Sequence, residues 1–148
     1  MTAKQYQELV SPRLQSLLRN LDVVQEWTAF RKTPYQYSPR VDIAVGPFNV
    51  SPGINRTDDY NTIVQGNEQF RRFITQVYDC HVSNIGEEWL NEIELPLLDL
   101  ITRRNQNARC LLAIEIENTS TKKHILGSMI NAASLGRVGI GVAFNDSV

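Results

Sequence analysis

Cysteine is scarce: Cys80 and Cys110 are the only two, 30 positions apart. A structural zinc site takes about four Cys or His ligands at close spacing. These two, with His81 and His124, do not form that pattern, so both thiols are expected to be free and buried. No apolar run reaches the ~18 residues that a membrane span needs. The first ten residues, Met1 to Val10, are polar and amphipathic, without the apolar centre of a signal peptide. A cytoplasmic protein is the expectation. Glycine does not gather into a phosphate loop, because Gly136, Gly139 and Gly141 fall at a turn and along a strand pattern rather than in a G-x-G-x-x-G entering a helix. No Ser-His-Asp order stands out above chance. Neither charge sign dominates: the net charge of −1 argues against a non-specific nucleic-acid coat. Lysine is rare, with 4 Lys against 11 Arg, and Arg is the better fork for phosphate oxygens.

What remains is ordinary globular material. The 148 residues are 42% hydrophobic and 21% charged, which suits one domain with its own core. Apolar residues at helical spacing run from Tyr6 to Leu21, with Pro12 either in the first turn or at a kink. Val23 to Lys32 is expected to be a strand, Thr33 to Pro39 a connection, and Arg40 to Val45 a strand in which Val41, Ile43 and Val45 alternate with Arg40, Asp42 and Ala44. Asn49 to Tyr60, with Ser51-Pro52-Gly53 and Asp58-Asp59, is expected to be loop. Helical spacing returns over Asn67 to Tyr78 and Gly86 to Arg104, the latter interrupted at Pro96. Arg109 to Glu117 is the clearest strand, a near-continuous apolar run of the kind that sits centrally in a sheet. Asn118-Thr119-Ser120 resembles a helix entry, Gly136 its stop, and Val138 to Phe144 a last strand. Strand, helix, strand in one sheet implies a parallel pair with a right-handed crossover.

The unusual residues are acidic. Glu115 and Glu117 lie two apart at the end of an apolar strand, which puts both side chains on one face. Carboxylates that close resist joint ionisation unless a cation lies between them. Asp42 interrupts a branched strand with a charge and is the best third member. The plainer alternative is a strand that ends at Ile114 and leaves both Glu in solvent. Against it stand the apolar run before Glu115 and the helix after Glu117, which place the pair at the carboxyl end of a central strand, where open α/β sheets build their sites.

Val41-Asp42, Glu115-Ile116-Glu117 and the following Lys122-Lys123-His124, in this order of elements, resemble the PD-(D/E)XK nuclease superfamily over Tyr6 to Phe144. The resemblance implies a restriction-endonuclease-like fold: an α/β chain whose mixed sheet is flanked by helices. A helical insertion at about 54–106 would separate the Asp strand from the Glu-x-Glu strand. It implies that Asp42 and Glu115 are ligands of Mg²⁺ or Mn²⁺, with the Ile116 carbonyl as a further ligand. Three departures accompany it: Val41 stands where the family has Pro, Glu117 where it usually has Lys, and the gap of 73 residues between Asp42 and Glu115 is long. Lys123 is the choice to stand in for the missing Lys, against the alternative of a solvated turn. Glu8 matches a helix that carries an extra acid in relatives, and an exposed Glu on an amphipathic helix explains it equally.

The function expected on this basis is a metal-dependent endonuclease hydrolysing phosphodiester bonds of DNA, with Asp42, Glu115, Glu117 and Lys123 as its catalytic group. The insertion would serve as a lid, a recognition surface or the contact of a homodimer, against the alternative of ordinary core packing. The competing reading is a catalytically inactive nuclease-fold domain that binds nucleic acid or a protein partner. A more distant one is an α/β enzyme acting on small phosphorylated molecules.

Overall fold

Ten elements follow one another in the computed structural model, which describes residues 1–30, 37–51, 53–118 and 121–144. Helix α1, Ala3–Leu17, is fixed at its start by a capping box in which Thr2 and Gln5 satisfy each other's backbone N–H. Pro12 lies inside it. Strands β1 (Val23–Thr28) and β2 (Arg40–Val45) pair antiparallel. The expected connection from Thr33 lies mostly outside the described residues. Four helices then intervene: α2 (Thr57–Gly66), α3 (Glu68–Asn84), the single turn α4 (Glu87–Leu90) and α5 (Leu98–Arg104). Strand β3, Cys110–Glu117, leads into α6, Lys122–Leu135, and then β4, Gly136–Ala143.

The sheet is open and mixed, in the order β1-β2-β3-β4. β2 and β3 are antiparallel, while β3 and β4 are parallel across α6, as a strand-helix-strand unit requires. The chain is thus an α/β protein with helices against a four-stranded sheet.

Two expectations need correction here, and a third holds. Thr57 to Tyr60 belongs to α2 rather than to a loop: Asp58 and Asp59 sit in its first turn, where acids favour the positive end of the helix dipole. Gly86 to Arg104 is interrupted as expected, with two short helices on either side of Pro96. Cys80 is exposed, and only Cys110 is buried.

One face of the sheet carries the main core, where Leu14 and Leu18 of α1 meet Leu112, Ile114 and Ile116 of β3. Tyr60 of α2 and Phe70 and Ile74 of α3 join the same cluster, so the intervening helices do pack as core. Their continuation does not: Trp89, Leu97 and Leu100 are exposed. A smaller cluster on the other side gathers Trp27, Ala44, Ala113, Ala132 and Leu135 under α6. The close approach of α6 depends on glycine. A Cβ on Gly139 would lie 2.7 Å from the backbone of Ala132 and Ala133, while one on Gly136 would run into the Val138 carbonyl oxygen within β4 and into Ala113 of β3. Gly136 is extended and opens β4 directly, in place of the left-handed helix stop its position suggests.

The far end of β4 is clasped by a buried arginine. Arg137 donates from Nε to the Thr102 carbonyl (2.7 Å), from Nη1 to the Asn105 carbonyl (2.8 Å) and from Nη2 to Asn61 Oδ1 (2.6 Å). It ties α2, the C-terminus of α5 and β4 together. Among the described residues, no helix is long and apolar enough to cross a membrane.

Candidate metal centre

β2 and β3 do not pair along their whole length. Their ladder runs over Ile43↔Ile114, Ala44↔Ala113 and Val45↔Leu112. Beyond Ile114 the strands part, while β3 continues against β4 through Glu115↔Gly141, Ile116↔Val142 and Glu117↔Ala143. At this fork side chains replace the ladder. Asp42 Oδ2 accepts the Ile116 N–H at 2.8 Å. In an extended strand a residue's N–H and C=O point to the same side, so the Ile116 carbonyl also faces the fork rather than β4.

Asp42 and Glu115 lie close enough to act on each other, each altering the proton affinity of its neighbour. Of the three acids expected to converge, Asp42 and Glu115 meet at the fork. Burial, then the charge of Asp42, pushes the Glu115 carboxyl up to about 7, with the Asn131 amide acting in the opposite direction. Burial also raises Asp42, the Ile116 N–H opposes it, and the charge of Glu26 adds to the rise. Glu115 is 7% exposed. An acid pair this buried strains against its own ionisation, and a divalent cation relieves that strain.

Glu117 lies on the same face of β3 but has its own partner: Ser128 Oγ donates to Glu117 Oε1 at 2.5 Å. Asn131, one turn further along α6, donates to Glu115 Oε1 and to the Arg40 carbonyl, the latter at 2.8 Å. Gln7 of α1 donates to the Asp42 carbonyl at 2.5 Å. Lys123 is exposed in the first turn of α6. At about 100° per residue it is turned some 140° around the helix from Ser128 and about 80° from Asn131, at the border of the face that meets the carboxylates. His124 is on that face but exposed. Glu8 is exposed, and it is its neighbour Gln7 that faces β2.

Four participants escaped sequence reasoning. Ser128 and Asn131 had a usable signal, being polar residues three apart on the helix that follows a Glu-x-Glu strand. Gln7 and Glu26 had none. Glu26 adopts φ 51°, a left-handed conformation uncommon for a side-chain-bearing residue. It drops out between the pairs Gln25↔Ile43 and Trp27↔Val41, and its carboxylate binds Arg40 Nη1 at 2.8 Å.

Among the described residues no three His, Cys, Asp or Glu side chains form a ready-made metal cage. The donors at the fork are two carboxylates and one carbonyl. That is the kind of set a hard cation such as Mg²⁺ takes, completing its shell with water and phosphate oxygens, and the residues present fit such an ion.

The raised Glu115 carboxyl has a consequence for stability. The folded metal-free chain binds the Glu115 proton more tightly than an ordinary glutamate does, so this stabilisation is fully present below about pH 4.5 and is lost as pH rises through about 7. Its upper bound is about 3.5 kcal/mol, the rise from 4.5 to about 7 taken at ~1.4 kcal/mol per pKa unit. Urea unfolding in EDTA from pH 4.5 to 8 is expected to show that decline, and Glu115→Gln to remove most of it. Equal slopes in the two proteins would contradict the assignment. No protein-family model, no curated protein and no solved structure matches the chain.

Proposed function

We propose that this chain is a divalent-metal-dependent endonuclease acting on DNA, with a restriction-endonuclease-like arrangement of its site. The observation that carries this reading is the pairing of half-buried Asp42 with buried Glu115 at the fork, with the Ile116 carbonyl on the same side. It lies at the carboxyl end of β3, the usual location of sites in open α/β sheets. Asp42, Glu115 and the Ile116 carbonyl would hold Mg²⁺ or Mn²⁺. The ion, when bound, polarises a phosphate oxygen and lowers the pKa of a water.

The remaining work falls to the chain's own residues. Glu117, steadied at one oxygen by Ser128, accepts a proton from the attacking water with the other. The new bond forms between that water's oxygen and phosphorus as the bond from phosphorus to the leaving sugar oxygen breaks, and the leaving oxygen takes a proton from solvent. Arg40, two residues before Asp42 and exposed, positions the neighbouring backbone phosphate.

A second reading is an inactive nuclease-fold domain that binds nucleic acid or a protein. Glu117 in the place of the usual Lys, with Lys123 exposed, favours it. One assay separates the two. Supercoiled plasmid incubated with the protein is expected to be nicked or linearised in Mg²⁺ or Mn²⁺ and left intact in EDTA. Retarded but uncut DNA under every metal condition would replace the first reading by the second.

A further inference from the structure

At the fork β2 loses its ladder partner, yet the Arg40 carbonyl is not left bare: Asn131 reaches it from α6. The same nitrogen, Nδ2, also donates to Glu115 Oε1. A side-chain amide nitrogen has two hydrogens, and both are used here. The amide orientation is therefore fixed, since turning it over would set its oxygen against a carbonyl and a carboxyl oxygen. Asn131 is held in turn by its helix. Ala132 beside it is buried under the sheet, and α6 rests against the glycines of β4. The helix brings no charge of its own to this point, only a neutral donor of fixed direction.

We infer that Asn131 is a positioning residue that sets the opening of the β2–β3 fork and aims the Glu115 carboxylate across it at a divalent cation. This rests on the metal-dependent reading above and adds to it a residue outside the ligand set. The strands are separated by two side-chain spans from opposite directions, Asp42 to the Ile116 N–H and Asn131 to the Arg40 carbonyl. Asn131, which is not itself a ligand, bridges the Arg40 carbonyl of β2 and the ligand Glu115 of β3. One Glu115 oxygen taken by the amide leaves the other for the cation, which favours one-oxygen coordination. Ser128 does the equivalent for Glu117 alone, with no reach to β2. The two α6 residues thus divide their roles: Asn131 governs cation affinity, and Ser128 steadies a group that acts on water.

Partners that orient metal ligands typically contribute 10–100-fold in affinity. Asn131→Leu keeps the branched shape and removes both donors. Mn²⁺ affinity is measured from the free-ion electron paramagnetic resonance signal on the full chain, with thermal melting alongside. The dissociation constant of Asn131→Leu is expected to rise at least about 10-fold, while that of Ser128→Ala stays within about 3-fold of the wild type. Should Asn131→Leu fail to fold, Asn131→Ser, which keeps one donor, is measured in its place and is expected to weaken binding by a smaller but resolvable factor. A merely structural role would lower the melting temperature and leave the Mn²⁺ constant unchanged, which would overturn the inference alone. A wild-type chain that binds no Mn²⁺ would overturn both the inference and the metal-dependent reading.

Discussion

Asp42→Asn and Glu115→Gln will each lower Mg²⁺-dependent cleavage of plasmid DNA by at least about 10³-fold, roughly 4 kcal/mol of activation free energy at 1.36 kcal/mol per tenfold. The amides are the informative substitutions. Asp42→Ala would leave the Ile116 N–H without its acceptor, at a cost of about 1–3 kcal/mol for a buried donor. Lost activity would then mix with lost structure. Asparagine at position 42 can still accept that N–H while giving up the charge a cation needs. Glu115→Gln tests the other ligand, with an opposite sign in stability. In metal-free solution at pH 8 the wild type must hold an ionised Glu115 beside Asp42 against burial, whereas the variant holds a neutral amide. It should therefore be more stable than the wild type under those conditions and inactive, as expected of a residue retained for chemistry at the expense of the fold. Undiminished cleavage by either variant would remove the pair from the reaction.

Arg137→Leu will destabilise the chain by about 3 kcal/mol, a large share of the roughly 5–15 kcal/mol that holds a domain together. The guanidinium is 2% exposed and donates to three acceptors, the Thr102 and Asn105 carbonyls and Asn61 Oδ1, each worth about 1 kcal/mol. Burial lowers its proton affinity, with Arg103 adding to the effect. Two of its acceptors are carbonyls at the C-terminus of α5, the negative end of that helix, where a cation is favoured. Arg137→Lys is expected to recover little, because one ammonium cannot span three acceptors in a plane. Urea unfolding measures the difference, and a loss below about 1 kcal/mol would show that the clasp contributes little.

Much of the sheet was legible from period and composition. The apolar run ending at Glu115 gave β3 its central place, and a strand-helix-strand order was enough to expect the parallel β3–β4 pair. Arg40 to Val45 alternates cleanly and forms β2 at those limits. Local pattern misled where signals conflict. Asp58-Asp59 belongs to turns and to helix first turns alike, and only the burial of Tyr60 and Val64 resolves it in favour of α2. Asp42 and Glu115 stood out at the candidate site because charge in an apolar strand is costly unless something offsets it. The groups that orient them did not. Asn131 and Ser128 are unremarkable in composition, and their role depends on the tilt of α6 over β3. Lys123 was singled out for its chemistry, and it sits exposed in the first turn of α6, five residues before Ser128. Nothing local predicts the left-handed backbone of Glu26, which only its strand partner makes meaningful.

Anomalous diffraction from crystals grown or soaked in Mn²⁺ addresses the cation directly. The structural account predicts one dominant peak in the fork, at ordinary Mn–oxygen distances of about 2.2 Å from an Asp42 oxygen, a Glu115 oxygen and the Ile116 carbonyl, with Asn131 still on the other Glu115 oxygen. Fully loaded crystals with no peak there, or with the ion on Glu117 alone, would contradict it.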